Sequence, residues 1–454
     1  MRREKLRGKK KVNIRKLLAA LLMSGLISVF VMLNYAQHSI HFRELAQSLS
    51  LVKSAREFLQ RFYAHHHART NSGSQTGFQR VGDAFNTYVY SATYDDVDVP
   101  IIRIITLVRY FRDAKRLPSF VCTYFNASGQ ASPVTFTGLL EYIPEGKWGY
   151  RYHSGFIKCM LPKDVRPTTV SISGNITAAH NMLRVIYPLK KKRRLTRCFS
   201  ALHSNFSNTL QLIQTLEISL MFGVDHFIVY NHSIHESAMN VLKHYRNLGV
   251  LDILPWDVPV NRTQIHYFAQ LAAIHDCLYR NLHVSDYILT GDTDEVYIPK
   301  RGGSTLEMIN DILKGKPSCS GILVQHTFFP LNLQPHVGNF TLKQEARRLG
   351  ITYLLYTTRL KINKPGYRSK LIIKPTGVEM SYIHNIERLR KGHTDCICPS
   401  SQCILHHYRA VPPREWGSLR QTDATLLNYS EIIVKRVTEK MDQLHLDGGT
   451  SSVF

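Results

Sequence analysis

The chain has 454 residues, 44% apolar and 20% charged, which suits two or three packed domains and excludes a chain that is disordered throughout. Lys and Arg number 58 against 33 Asp and Glu, a formal net charge of +25. Such an excess invites a nucleic-acid reading, yet much of it sits in two short runs, and neither an Arg/Gly or Ser/Arg repeat nor a zinc-finger spacing accompanies it. Nucleic acid is therefore not expected as a partner.

The first run lies in residues 1–16, where nine Lys and Arg face the single Glu4. Residues 17–33, LLAALLMSGLISVFVML, carry no charge, and Tyr35 and Ala36 extend the apolar stretch. About 17–25 apolar residues span a bilayer, whereas the apolar core of a cleaved signal peptide has roughly 7–15. Flanking positive charge stays on the cytoplasmic side. The predicted organisation is a cytoplasmic tail over 1–16 and a transmembrane signal-anchor over 17–36, with the rest lumenal as a single-pass type II membrane protein. A short span with a basic tail suits the thinner membranes of the early secretory pathway, so a Golgi location is expected. Seven N-x-S/T sequons (Asn126, Asn175, Asn205, Asn231, Asn261, Asn339, Asn428) and eight cysteines, all beyond the anchor, suit a glycosylated, disulfide-bearing lumenal body.

Residues 37–83, polar and carrying His65-His66-His67, read as a stem. Over 84–190, β-rich runs such as TYVYSATY, IIRIITLVRYF and SFVCTYF alternate with turn residues and predict a small β-sandwich-like accessory domain that Cys122 and Cys159 can staple. The second basic run, Lys190-Lys191-Lys192-Arg193-Arg194 with Arg197, reads as an exposed linker. From 195 to 440 strands and helices alternate. RCFSAL, DHFIVYNH, VLDILPW and SDYILTGDTDE read as strands, and the segments between them as amphipathic helices, which predicts an α/β domain on a mostly parallel sheet. Such sheets bind ligands beyond the carboxyl ends of their strands. Downstream, Cys396, Cys398 and Cys403 are expected to tie a loop by disulfide rather than hold zinc.

The fourth of those strands ends in Gly291-Asp292-Thr293-Asp294-Glu295. Alternation along an extended segment places Asp292 and Asp294 on one side, where two hard carboxylates suit Mn²⁺ or Mg²⁺ and, through it, a nucleotide-sugar diphosphate. The same residues fit the acidic loop of haloacid-dehalogenase-type phosphatases, but that fold opens on its loop, and here two or more βα units come first.

The ordered landmarks around this motif resemble glycosyltransferase family 92. They are Thr215-Leu216-Glu217, the run Phe222 to Asn231, Tyr245 and Gly249, Pro255-Trp256, Tyr267-Phe268-Ala269-Gln270, Asp276 to Arg280, Asp292-x-Asp294-Glu295, Arg368-x-Lys370 with Pro375, His384, and His407-Tyr408-Arg409. The similar stretch runs from about 198 to 409. Two residues depart from the family pattern: Ala269 stands where Gly commonly precedes the Gln, and Ile218 where Trp commonly follows the Glu.

The resemblance implies a GT-A (Rossmann-like) catalytic fold and an inverting, metal-dependent transfer of a hexose, most often galactose from UDP-galactose, onto a glycan acceptor. It implies Asp292, Asp294 and either His384 or His407 as metal ligands. Tyr230, Asn231, Gln270, Asp292, Arg368 and Lys370 are the expected nucleotide-binding residues. Glu295, Glu345 and Glu379 are the candidates for the general base, and Trp256 can stack on a sugar or serve the core. The alternative is a catalytically silent lumenal glycan-binding protein on the same fold. A homodimer is left open.

Overall fold

The computed structural model describes residues 77–446 except 83–85, 112–117, 133, 145–148, 175–180, 189–191, 337 and 416–419. The predicted tail and anchor, with most of the stem, lie outside the described residues. Among the described residues no helix is long and apolar enough to cross a membrane. The described residues form one compact unit.

The first eight strands are β1 (Gln79–Arg80), β2 (Tyr88–Asp95), β3 (Ile101–Arg109), β4 (Phe120–Phe125), β5 (Phe136–Tyr142), β6 (Tyr152–Met160), β7 (Thr169–Gly174) and β8 (Leu183–Ile186). Their order is β1-β2-β3-β6-β5-β4-β7-β8, and β8 also pairs in parallel with β2. The ladder closes on itself. The expected sandwich is thus corrected to a barrel, which removes the unpaired edges that a two-sheet sandwich leaves. Val81, just after β1, is fully buried in the barrel core, so this domain begins within the segment assigned to the stem. Cys122 and Cys159 form a disulfide inside that core.

The unbroken apolar run of β3 follows from its two faces. Ile102 and Ile104 point into the barrel core, while Ile105 and Leu107 join Phe156, Trp256 and Tyr279 in the layer shared with the α/β domain. Alternation puts successive residues on opposite faces, and here both faces are dry. Trp256 belongs to this layer, fully buried against Tyr90 and Tyr230, and so serves the core.

The α/β domain runs β9 (Arg193–Phe199), α1 (Thr209–Met221), β10 (His226–Asn231), α2 (Glu236–Asn247), β11 (Leu251–Pro255), α3 (Gln270–Arg280) and β12 (Ser285–Gly291). Strands β11-β10-β9-β12 are mutually parallel. The chain continues through β13 (Glu295–Pro299), α4 (Thr305–Leu313), β14 (Cys319–Val324), β15 (His326–Pro330), α5 (Lys343–Arg348), α6 (Thr352–Leu355) and β16 (Thr358–Arg359). It then forms β17 (Lys370–Ile373), β18 (Val378–Ser381), β19 (Ile386–Leu389), β20 (Thr394–Ile397), β21 (Cys403–Arg409), β22 (Gln421–Thr422) and α7 (Ser430–Gln443). Strand β17 adds antiparallel beside β12, and a separate sheet has the order β13-β21-β15. The α/β expectation holds, with one correction at its start. Arg193 and Arg194 belong to β9, where Arg194 stays exposed, and Arg197 is 1% exposed within the strand, so the linker ends before residue 193. Cys198–Cys277, Cys319–Cys396 and Cys398–Cys403 are disulfides, the last closing the expected loop.

Barrel and α/β domain meet through buried ions as well as apolar contact. Asp95, at the end of β2, accepts from Arg103 at 2.7 Å and from Arg390, next to β19, at 3.0 Å, and all three side chains are 3% exposed or less. Burial opposes ionisation of Asp95, but the two guanidiniums outweigh it and hold the carboxyl below its usual range. Because the folded-state value is depressed, the stabilisation is present above the unfolded value of about 3.9 and is lost as pH falls through the folded value. Asp95→Asn leaves two buried arginines short of a charge and is expected to cost about 3 kcal/mol in urea unfolding at pH 7. The gap from the unaltered protein should narrow below pH of about 4. Equal unfolding midpoints at pH 7 would contradict this.

Candidate active site

A cleft of about 400 Å³ opens beyond the carboxyl ends of β9 and β12, lined by His266, Tyr267, Gln270, Asp292, Glu295, Arg368, Lys370, His384, His407 and Arg409 among others. Asp292, Thr293 and Asp294 form the turn between β12 and β13 rather than an extended segment. This turn, not strand alternation, leaves both aspartates partly exposed, at 33% and 24%, while Thr293 turns inward. The backbone oxygen of Thr293 accepts from the Thr215 hydroxyl and, at 3.2 Å, from that of Tyr353.

Three carboxylates within four residues must be compensated, and Lys370, His407 and Arg197 face them. Lys370 donates to Asp292 at 2.7 Å and to Glu295 at 2.9 Å. It reaches them because β17 runs antiparallel to β12 with Leu289 opposite Ile372, a register that continues to Gly291 and Lys370. His407 stands opposite Glu295 in the β13–β21 ladder, with Nε2 3.0 Å from Asp294 Oδ2 and Nδ1 3.2 Å from Glu295 Oε1. Arg197 lies beneath the turn, donating at 3.0 Å to the Asp292 carbonyl and also to that of Glu295. The Glu295 carboxylate accepts the Asp292 N–H at 2.9 Å and closes the turn from inside.

The electrostatics follow these contacts. Burial disfavours charge on Asp292, yet Lys370 outweighs it and holds the carboxyl well below its ordinary value. Burial would lower Lys370, but Asp292 and Glu295 keep it protonated. Burial pushes Glu295 up against the pull of Lys370. His407 would be lowered by burial, and the carboxylates of Asp294 and Glu295 raise it instead. His384 is pushed down to about 4, chiefly by burial and then by Lys370, and its Nδ1–H donates to the Ser369 carbonyl at 2.9 Å.

The structure brings Asp292, Gln270, Arg368, Lys370, His384 and His407 to one cleft, and Asp294 does not line it but lies 3.0 Å from His407, which does. Gln270 donates to Ser200, which follows β9, at 2.9 Å. Arg368 has a left-handed backbone (φ 55°) and lies 5.0 Å over the Phe328 ring. Other expectations are corrected. Tyr230 is fully buried and donates at 2.7 Å to Asp276, which also accepts from Ser91 and Arg280, so its hydroxyl serves the core. Asn231 pairs across β10 and β11 with Pro255 and does not line the cleft. Glu345 is ion-paired to Arg348 within α5. Glu379 is ion-paired to Lys158 and Arg388 at the barrel interface. Neither glutamate lines the cleft, and Glu295 lines it with a carboxylate only 2% exposed.

The sequence reading missed several contributors. Arg197 was signalled by a lone charge inside an apolar strand. Tyr267, 49% exposed in the cleft, heads three residues in the left-handed region, Tyr267, Phe268 and Ala269 (φ 38°, 55° and 60°). The backbone at Ala269 is one that glycine adopts without strain, which accounts for the family preference at that position. Phe268 stacks on His203 at 4.2 Å and packs on His232 at 4.7 Å, at the carboxyl ends of β9 and β10.

A mostly parallel sheet with an acidic turn, basic walls and a cleft beyond its strand ends defines an α/β protein with a polar, charged cleft. Residues 193–444 match the description of glycosyltransferase family 92, and the chain belongs to that family. It is 24% identical over 231 residues to the beta-1,4-galactosyltransferase galt-1 of Caenorhabditis elegans, covering 50% of this chain and 47% of that one. It is 22% identical over 240 residues to the glycosyltransferase family 92 protein F59C6.8 of the same organism, covering 49% and 42%. The chain thus spans about half the length of the curated relatives it matches. Among solved structures, the glucosyl-3-phosphoglycerate synthase of Mycobacterium tuberculosis aligns over 56% of this chain and 81% of that one, with 11% identity and a TM-score of 0.24.

Lys370→Met strips the shared cation from two adjacent carboxylates and is expected to destabilise the protein by about 3–5 kcal/mol. Glu295→Gln added to the same chain should restore part of that loss. Denaturant unfolding of the three proteins measures both, and an unchanged midpoint for Lys370→Met would contradict the arrangement.

Proposed function

We propose that this chain is an inverting, metal-dependent glycosyltransferase of GT-A type that moves a hexose, galactose from UDP-galactose, onto a glycan acceptor. The observation that carries the reading is the convergence of Asp292, Asp294, His407, Lys370 and Arg368 around one cleft at the carboxyl ends of β9 and β12. The name of the relative galt-1 supports the choice of sugar.

The residues suit a divalent cation by their chemistry. Among the described residues no three His, Cys, Asp or Glu side chains converge as a ready-made cage. Mg²⁺-type sites rarely need one, since one or two carboxylates and the substrate's phosphates complete the shell. Asp294 and His407 are the pair that would hold the ion, the carboxylate and imidazole standing 3.0 Å apart. Asp292 is already committed to Lys370, and His384 to the Ser369 carbonyl. Bound Mn²⁺ or Mg²⁺ would stabilise the negative charge that grows on the departing diphosphate.

The chain's own residues do the rest. Lys370 fixes the acidic turn, and Arg368 and Arg409 offer donors to phosphate oxygens, the guanidiniums bidentately. Gln270, anchored on Ser200, heads α3, whose first N–H groups and dipole face the cleft. Phe268, His203 and His232 form the surface on which the uracil would lie, in place of Tyr230 and Asn231. Tyr267 covers the cleft where the hexose would sit. The ion pairs of Glu295, Glu345 and Glu379 favour a second reading, a catalytically silent glycan-binding protein, because no expected base is free at the cleft.

A donor panel separates the two readings. The unaltered protein should release UDP from UDP-galactose with Mn²⁺ and lose that turnover in EDTA. Asp294→Ala should lower it by about a hundredfold or more. No turnover with any nucleotide sugar, together with retained glycan binding, would favour the silent reading instead. The basic tail and the apolar run 17–33 support a Golgi type II topology. In sealed microsomes the C-terminal domain is expected to resist added protease, and its digestion without detergent would overturn that placement.

A further inference from the structure

A third histidine stands behind the Asp294–His407 pair. His326 opens β15 and is fully buried, edge-on to Phe328. Its Nε2 lies 3.0 Å from His407 Nδ1, and its Nδ1 lies 2.8 Å from the side-chain amide of Asn363. Asn363 is itself held in place. Its N–H donates to the His326 carbonyl at 2.9 Å, and its own carbonyl accepts from Gln325 at 2.9 Å. The contacts form a chain from Asn363 through His326 to His407 and on to Asp294.

Each nitrogen–nitrogen contact in that chain needs one hydrogen, and the amide can face either way. If the Asn363 nitrogen faces His326, the hydrogens run toward His407, and His407 Nδ1 must accept. That puts a lone pair 3.2 Å from Glu295 Oε1, and His407 Nε2–H donates to Asp294 Oδ2 at 3.0 Å, which leaves the ring no lone pair for an ion. If the Asn363 oxygen faces His326, the hydrogens run the other way, and His407 Nε2 and Asp294 Oδ2, 3.0 Å apart, are left as two facing acceptors that a cation would join. His326 Nδ1–H then donates to Asn363 and its Nε2 accepts from His407 Nδ1–H, with Glu295 Oε1 3.2 Å from the same nitrogen. The lone pair of His407 Nε2 is then free on the side of Asp294 and the cleft. Ligand histidines are commonly oriented through their other nitrogen in this manner.

We propose that His326 and Asn363 are positioning residues that hold His407 in the Nδ1–H tautomer, with Nε2 presented as a donor beside Asp294. The inference rests on the reading of Asp294 and His407 as the metal pair. Neither residue touches substrate. They act through His407, and Glu295 alone would leave the ring with one partner instead of two.

The test measures metal binding directly. The full-length chain is purified in detergent and titrated with Mn²⁺ in the presence of UDP, free Mn²⁺ being read by electron paramagnetic resonance. His326→Phe keeps the ring and its packing but removes both nitrogens, and it is expected to weaken Mn²⁺ binding by about 10- to 100-fold. His326→Gln, which can still accept from His407, should recover most of the affinity. Asn363→Leu should weaken binding, whereas Asn363→Asp, which keeps an acceptor facing His326, should not. Thermal unfolding checks that each variant folds, and the Asn363 pair decides the matter if His326→Phe does not. Unchanged affinity in a folded His326→Phe or in Asn363→Leu, or a loss in Asn363→Asp, overturns the proposal. Absence of Mn²⁺ binding by the unaltered protein overturns the metal reading beneath it.

Discussion

Everything at the cleft depends on how one turn carries three carboxylates. Asp292, Asp294 and Glu295 are close enough to repel one another, and burial of the turn would magnify that repulsion. The protein answers with Lys370 between two of them, His407 between the other two, and Arg197 under the backbone carbonyls. Removing any one leaves an uncompensated charge or carbonyl in a poorly solvated place, which is far costlier than losing a surface ion pair.

The sheet topology reads as the means of delivering those partners. Lys370 arrives because β17 is inserted antiparallel next to β12. His407 arrives because β21 pairs with β13 in a register that sets it opposite Glu295, and the Tyr408 N–H then donates to the Asp294 carbonyl at 2.9 Å. Arg197 needs no delivery, since it lies on β9, the strand parallel to β12. The barrel is no loose appendage. It shares an apolar layer and a buried Asp95–Arg103–Arg390 cluster with the α/β domain, so strain in one reaches the other.

Part of this was legible in the sequence. The βα alternation, the acidic motif at the end of β12 and the Cys122–Cys159 staple came from local pattern, because periodicity and strand-end composition are local properties. The barrel was taken for a sandwich because closure is made by β2 and β8, about ninety residues apart, and nothing in either strand marks its partner. Tyr230 and Asn231 were placed at the nucleotide by their position at a strand end, but position does not show which way a hydroxyl points, and Tyr230 points to Asp276. Arg197 was counted with its basic neighbours when its setting among Leu195, Cys198 and Phe199 was the better guide. His326 and Asn363 carried no signal at all, since their partners are set by ladder register and loop path.

The Asp294 carboxylate and the His407 nitrogen that faces it at 3.0 Å would form the metal pair of the proposed nucleotide-sugar site. An experimental structure with Mn²⁺ and UDP, recorded for the anomalous signal of manganese, tests it most directly. A single manganese peak in ligand contact with Asp294 and His407 is expected, with the diphosphate against it and Lys370 still bridging Asp292 and Glu295. A diphosphate held by Arg368, Lys370 and Arg409 with no manganese at Asp294 would contradict it.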